Sequence, residues 1–365
     1  MRVLLSGGGT AGHINPALAL AETLRDRGVE VSFAGTPEGL ESRLVPQAGI
    51  PFTAYEAKGF NRNHPLTLPK ALLTLNASTK QAKRDFAESR PDAVVAFGGY
   101  VCIPVGRAAE SLGIPVVVHE QNSVMGMANK YLARRAQRVC LTYEHAAKDV
   151  PDAGRVLVTG NPVRQSVFAA AKDKGRAAFG IPQDALMLLV TGGSLGARHI
   201  NQAMAALKDE LLARPNLYVV HLTGPKELEA TAEALGLDEA QRARWQLLGY
   251  TDQMGLAMAA ADAVVSRAGA TSLAEISARH IPALLVPFPY ATEDHQSRNA
   301  EAWVEAGCAL CVADDQVEGL QFREKMLRLV DDAALRASMA EASEKMGTKD
   351  AAAALADAVM EAARG

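Results

Sequence analysis

The sequence predicts an α/β fold of two similar Rossmann-like domains, each a doubly wound parallel sheet, facing each other across a cleft. Three observations carry this expectation. Strand-like and helix-like stretches alternate through the whole chain, the pattern of parallel strands joined by crossover helices. A strand, a Gly-Gly-Thr-Ala-Gly turn at Gly8–Gly12 and a helix recur 184 residues later around Gly192-Gly193-Ser194-Leu195-Gly196. At 365 residues the chain also exceeds the size that one hydrophobic core usually serves.

The elements follow in order. Apolar runs predict strands over 3–6, 29–34, 52–55, 93–97, 116–119, 139–142 and 156–159. A helix is expected over 16–27, with Pro16 at an early helical position and Gly28 at its end, and another over 37–48. Gly160-Asn161-Pro162-Val163-Arg164 reads as a linker, because Pro162 cannot continue a ladder. A second series follows, with strands over 186–191, 217–222, 246–248, 263–266, 283–287 and 309–312 and an Ala-rich final helix from 349. The domains are therefore placed at 1–160 and 161–348. The halves repeat a further pattern. Asp92-Ala93-Val94-Val95 before Gly98-Gly99 has its counterpart in Asp262-Ala263-Val264-Val265 before Gly269.

The net charge of −3 conceals an asymmetry: residues 1–160 carry about +4 and the remainder about −7. The basic half points to an anionic surface or substrate. It is too mildly basic for nucleic acid, and no basic groove with interleaved aromatics is visible. The chain meets glycines by residue 7, so no signal peptide is expected. No apolar run reaches the ~20 residues of a membrane span. Cys308-Ala-Leu-Cys311 lacks partners at zinc spacing and reads as two buried thiols of a reducing, cytoplasmic setting.

Several stretches carry chemistry. Gly7-x-Gly9-x-x-Gly12 fits the dinucleotide fingerprint, yet strand two ends Phe33-Ala34-Gly35-Thr36 without the acid that would hold a ribose. That disfavours NAD and leaves a phosphate-binding turn or a ligand-free tight turn. His13, beside the turn at the carboxyl side of a strand, is the candidate general base. Residues 266–275 form a strand, a small-residue turn and a helix start suited to a diphosphate, with Glu275 placed for ribose hydroxyls or simply for the helix dipole. The polar stretch 287–300 is suited to sugar hydroxyls. With no Asp-x-Asp and no ligand cluster, neither metal nor cofactor is expected, and a leaving diphosphate would rest on helix ends and cations such as Arg164. The segment 64–86 carries Leu66, Leu68, Leu72, Leu73 and Leu75 with Lys70, Lys80, Lys83 and Arg84. It reads as an amphipathic helix packed on the sheet, or as an interfacial patch for an anionic membrane.

On these motifs, the chain resembles the GT-B glycosyltransferases that move N-acetylglucosamine from UDP-GlcNAc onto lipid I, making lipid II for peptidoglycan. The resemblance runs almost end to end. It rests on residues 8–13, Gly98-Gly99-Tyr100, His119-Glu120-Gln121-Asn122, 160–164, 192–197, Arg267 through Glu275, and Asp294-His295-Gln296 with Asn299-Ala300. It implies an inverting enzyme without metal, peripheral on the cytoplasmic face of the membrane, with cell-wall and cell-division proteins as partners. It also implies that the final helix, 349–365, packs back on the first domain. Carried over by motif, Thr10, Ala11, Gly12, Asn122, Arg164, Ser194, Thr251, Ala270, Thr271, Ser272, Leu273, Ala274, Glu275 and Gln296 would contact UDP-GlcNAc. Gly98, Gly99, Tyr100 and His119, with the first glycine turn, would face the acceptor's diphosphate and sugar, and His13 would be the base. Ala11 and Ala268 depart from the Gly and Ser that relatives often carry there. A different UDP-sugar transferase, a UDP-GlcNAc epimerase and an NAD-dependent oxidoreductase remain as alternatives.

Overall fold

Runs of β-branched and aliphatic residues fix the sheets. In the computed structural model, which describes residues 1–57, 68–193, 196–291, 294–346 and 350–365, thirteen parallel strands form two sheets. The first holds β1 (Arg2–Ser6), β2 (Glu30–Gly35), β3 (Phe52–Ala54), β4 (Ala93–Ala96), β5 (Val116–Glu120), β6 (Arg138–Leu141) and β7 (Val156–Val158), in the order β3-β2-β1-β4-β5-β6-β7. The second holds β8 (Leu186–Thr191), β9 (Leu217–Leu222), β10 (Trp245–Leu248), β11 (Ala263–Ser266), β12 (Ala283–Leu285) and β13 (Ala309–Cys311), in the order β10-β9-β8-β11-β12-β13.

Both faces of each sheet are buried, which is why the strands read as continuous apolar runs. Side chains alternate between faces with period two. Val3 and Leu5 join the core under the helix Ala11–Asp26, while Leu4 joins the core on the opposite face. In the second sheet, Leu188 and Val190 enter one core and Met187 and Leu189 the other. The chain divides into two compact units, Met1–Arg164 with Thr348–Gly365, and Gln165–Gly347. The final helix, Ala351–Arg364, buries Leu355 and Val359 in the core of the first unit. Asp357 and Glu361 pin it to Arg27 at 2.6 Å and Arg138 at 2.9 Å.

One helix begins earlier than its sequence suggests. The helix expected from 16 starts at Ala11, because extended Thr10 offers its carbonyl to the N–H groups of both His13 and Ile14. Pro16 then lies inside the helix, in its second turn, where it brings no N–H to the helical ladder. His13 therefore sits in the first helical turn, not in the loop. The helix expected over 37–48 is shorter, Glu41–Gln47. Cys308 is buried but Cys311 only partly so. Among the described residues no helix is long and apolar enough to cross a membrane.

Candidate functional site

In an open parallel sheet, ligands collect at the carboxyl ends of the strands where the strand order reverses. In the first unit that point lies between β1 and β4, and in the second between β8 and β11. A glycine turn sits at each.

In the first unit, the turns after β1 and β4 interlock. The Gly8 N–H donates to the Gly98 carbonyl at 3.2 Å. Gly99, at φ +87, places its Cα so close to Gly8 that a Cβ would stand 2.6 Å from the Gly8 oxygen. Only glycine tolerates both conditions. His13 Nδ1 lies 2.8 Å from the Gly8 carbonyl. A carbonyl can only accept, so Nδ1 carries the proton and Nε2 of the neutral ring carries the lone pair. That Nε2 faces Gly98, 2.8 Å from where a Cβ would stand.

Behind this turn lies a carboxylate the sequence reading passed over. Glu41 is fully buried and accepts from Gly9 N–H at 3.2 Å, Thr36 N–H at 2.9 Å and Thr36 Oγ at 2.6 Å. The N–H groups of Gly7, Gly8 and Gly9 are thus taken by Ala34, Gly98 and Glu41. The amides of Gly8 and Gly9, within the expected phosphate-facing turn, are engaged inside the unit.

His119, expected on the acceptor side, lies at the end of β5. It is fully buried, with Nε2 donating to the Gly160 carbonyl at 3.0 Å and Nδ1 accepting from Gln121 at 3.0 Å. Burial pushes its pKa down to about 4. Both its nitrogens are engaged within the unit, and it ties β5 to the segment after β7. Its neighbour Glu120, part of the same motif but given no role by the sequence, gathers the next loop. Oε1 accepts from Asn122 N–H and Nδ2, and Oε2 from Gly126 N–H and Asn129 Nδ2, at 2.9–3.1 Å. Arg164 donates its Nε to Glu22 on the helix Ala11–Asp26 at 3.0 Å, and Tyr100 is partly exposed just after the second turn.

In the second unit, Gly196 adopts φ +79 against the backbone of Thr223 and Gly224, and Gly193 donates its N–H to Thr191 Oγ1 at 3.2 Å. Ser194 lies outside the described residues, as do His64, Leu66 and the side chains of Leu68 and Lys70. After β11, Gly269 precedes the helix Ala270–Ala278. The amides of Ala270, Thr271 and Ser272 fall in its first turn. Leu273 follows them: its N–H donates to the Gly269 carbonyl and its side chain is fully buried in the core. Ala274 and Glu275 are partly exposed. Gln296, at the start of the helix His295–Glu305, comes within 4.0 Å of where a Gly269 Cβ would stand, and its Oε1 accepts from Phe288 N–H at 3.0 Å. Thr251 follows β10 at the same edge of the sheet and caps Gln253 N–H at 3.0 Å.

A buried ion pair that the motifs did not reveal braces these loops. Arg267 donates to the carbonyls of Val286 and Pro287 and to Asp314 Oδ1 at 2.5 Å, and Asp314 Oδ2 meets His199 Nδ1 at 2.6 Å. The segments after β8, β11, β12 and β13 are thereby joined. Phe288 stacks on the Arg267 guanidinium at 5.5 Å. Among the described residues, no three His, Cys, Asp or Glu side chains converge on a metal-sized site.

Two Rossmann-like units with paired turns at both switch points are those of the GT-B fold class. The chain belongs to glycosyltransferase family 28, matching its N-terminal domain over residues 3–141 and its C-terminal domain over 187–355. A protein of Halothermothrix orenii described as UDP-N-acetylglucosamine--N-acetylmuramyl-(pentapeptide) pyrophosphoryl-undecaprenol N-acetylglucosamine transferase is 37% identical, with all of both chains covered. The protein of the same description from Leuconostoc mesenteroides is 39% identical over 96% of each chain. The crystal structure of Acinetobacter baumannii MurG superposes with a TM-score of 0.74 at 28% identity, covering 99% of each chain.

Proposed function

We propose that this protein transfers N-acetylglucosamine from UDP-GlcNAc to the C4 hydroxyl of the muramyl sugar of lipid I, releasing UDP and forming lipid II. The observation that carries the reading is likeness to transferases of that description along the entire chain, so both units are accounted for. The second unit takes the donor. Thr251, the first turn of the helix Ala270–Ala278 and Gln296 lie at the carboxyl edge of one sheet, and helix amides stabilise a departing diphosphate. Glu275 holds the ribose and Gln296 the sugar. Ser194, Asn122, Arg164 and the start of the first helix at Thr10, Ala11 and Gly12 complete the donor contacts.

The first unit takes the acceptor at Gly98, Gly99 and Tyr100. There His13 Nε2 removes the proton of the attacking hydroxyl, which displaces UDP in line with inversion at the anomeric carbon. Its Nδ1–H bond to Gly8 supports this role by leaving Nε2 as the basic nitrogen. The helix Leu68–Glu88 provides the membrane contact. It buries Ala71, Leu75, Ala82 and Phe86 while exposing Leu72 and Leu73, with Lys80 and Arg84 on the same outer face. On this reading the protein is peripheral on the cytoplasmic leaflet, with cell-wall and division proteins as its expected company.

The test is incubation of the purified chain with labelled UDP-GlcNAc and lipid I in detergent without added metal. Labelled lipid II is expected. Release of UDP without a labelled lipid, or no turnover with both substrates present, would overturn the reading.

A further inference from the structure

Glu41 is costly where it stands. A fully buried carboxylate without a cation within ion-pair distance, among the described residues, is retained only if its hydrogen bonds do something for the fold or the site. It is held by three donors from two segments, Gly9 after β1 and Thr36 after β2. It is also caged by glycines. A Cβ on Gly8 or Gly39 would overlap its carboxylate, and one on Gly35 would stand 2.5 Å from its Cγ. Three glycines scattered over 32 positions of sequence thus share one reason: this side chain fills the space beneath the first turn.

The contacts continue in one direction. Glu41 packs against Gly8 and binds Gly9. The Gly8 carbonyl takes the Nδ1 proton of His13, and the far side of that ring faces Gly98. We infer that Glu41 is a positioning residue for His13. It fixes the Gly8–Gly9 peptides, and those peptides fix the tautomer and direction of the imidazole. The inference rests on the reading of His13 as the base. Glu41 itself touches neither substrate nor the reacting atoms.

The experiment is a double-mutant cycle on the full chain, with Glu41→Gln, His13→Ala and the pair, measuring kcat and the KM for UDP-GlcNAc. Glu41→Gln keeps the shape but loses one acceptor, and a misdirected base costs about 10–100-fold in kcat. The donor KM should stay within about twofold. In the His13→Ala background the same change should have no further effect on kcat. Should Glu41→Gln fail to fold, Thr36→Val removes one of the three donors while leaving the carboxylate, and should lower kcat several-fold with the donor KM unchanged. Wild-type kcat in Glu41→Gln, or an equal loss with and without His13, would overturn the positioning role. Wild-type kcat in His13→Ala would instead overturn the base assignment, so the two failures are distinguishable.

Discussion

Replacing Gly99 by alanine tests whether the two turns of the first unit act as one object. Gly99 adopts φ +87, a region that costs an L-residue about 1–2 kcal/mol. Its new Cβ would stand 2.6 Å from the Gly8 oxygen and 3.2 Å from the Gly8 carbon and nitrogen. These are backbone atoms, so no rotamer change relieves the contact. One turn must move, and such overpacking costs roughly 1–3 kcal/mol more. The total of about 2–5 kcal/mol is a large part of a typical domain's stability. Gly28→Ala is the matched control. It has φ +76 but nothing within 4 Å of its Cβ, so it carries the backbone cost alone. Urea unfolding followed by far-UV circular dichroism should therefore rank Gly99→Ala well below Gly28→Ala. Transfer assays should show kcat lost only in Gly99→Ala, because the displaced Gly8 carbonyl is the one that orients His13. Trp245 and Trp303, the only tryptophans, both lie in the second unit, so their fluorescence checks that the second unit is intact. Equal stability losses in the two variants, or wild-type turnover in Gly99→Ala, would refute the interlocked-turn argument.

Four other outcomes are expected. Asp314→Asn strips the buried Arg267 of its counter-charge, a change that typically costs about 3–5 kcal/mol, and the donor KM should rise before kcat falls. Glu275→Ala should raise the UDP-GlcNAc KM with little change in kcat, and an unchanged KM would remove it from the ribose. Burial lowers the pKa of His119 to about 4 and of His221 to about 3, so the unfolded chain binds protons that the fold refuses. Stability should then fall as pH drops below about 6.5, by on the order of a few kcal/mol, and the slope should flatten in His119→Asn if the histidine folds neutral as its contacts require. Charge reversal at Lys80, Lys83 and Arg84 should abolish sedimentation with anionic liposomes at low salt, and retained binding would assign membrane contact elsewhere.

The fold was legible because its strands are buried on both faces. The runs over 186–191, 217–222 and 263–266 emerge with the bounds expected, since continuous apolar stretches between turn residues leave little else to form. Helix starts were harder. Pro16 suggested a start at its own position, whereas Thr10 already nucleates the turn. The glycine turns announced the candidate site through their repetition, but the charged groups behind them did not. Glu41, Glu120 and Asp314 are recognised by what reaches them across 30 residues or from the next loop, and no local pattern encodes that. One signal was available for Glu41: Gly8, Gly35 and Gly39 have no common explanation in sequence until a side chain is placed among them. His119 shows the same limit, since nothing local in sequence tells that both its nitrogens are engaged within the unit.

The same turn occurs twice, and the two copies are furnished differently. In the first, the Gly9 amide is neutralised by a buried carboxylate belonging to the chain itself. In the second, the described amides of Gly193 and Gly196 meet neutral oxygens, the Thr191 hydroxyl and the Gly193 carbonyl. No carboxylate is held against these two amides. Duplication of one strand–turn–helix pattern therefore yields one turn backed by an internal carboxylate and one whose described glycine amides meet only neutral oxygens. The two turns thus differ in what stands behind their glycines, although both carry the same motif.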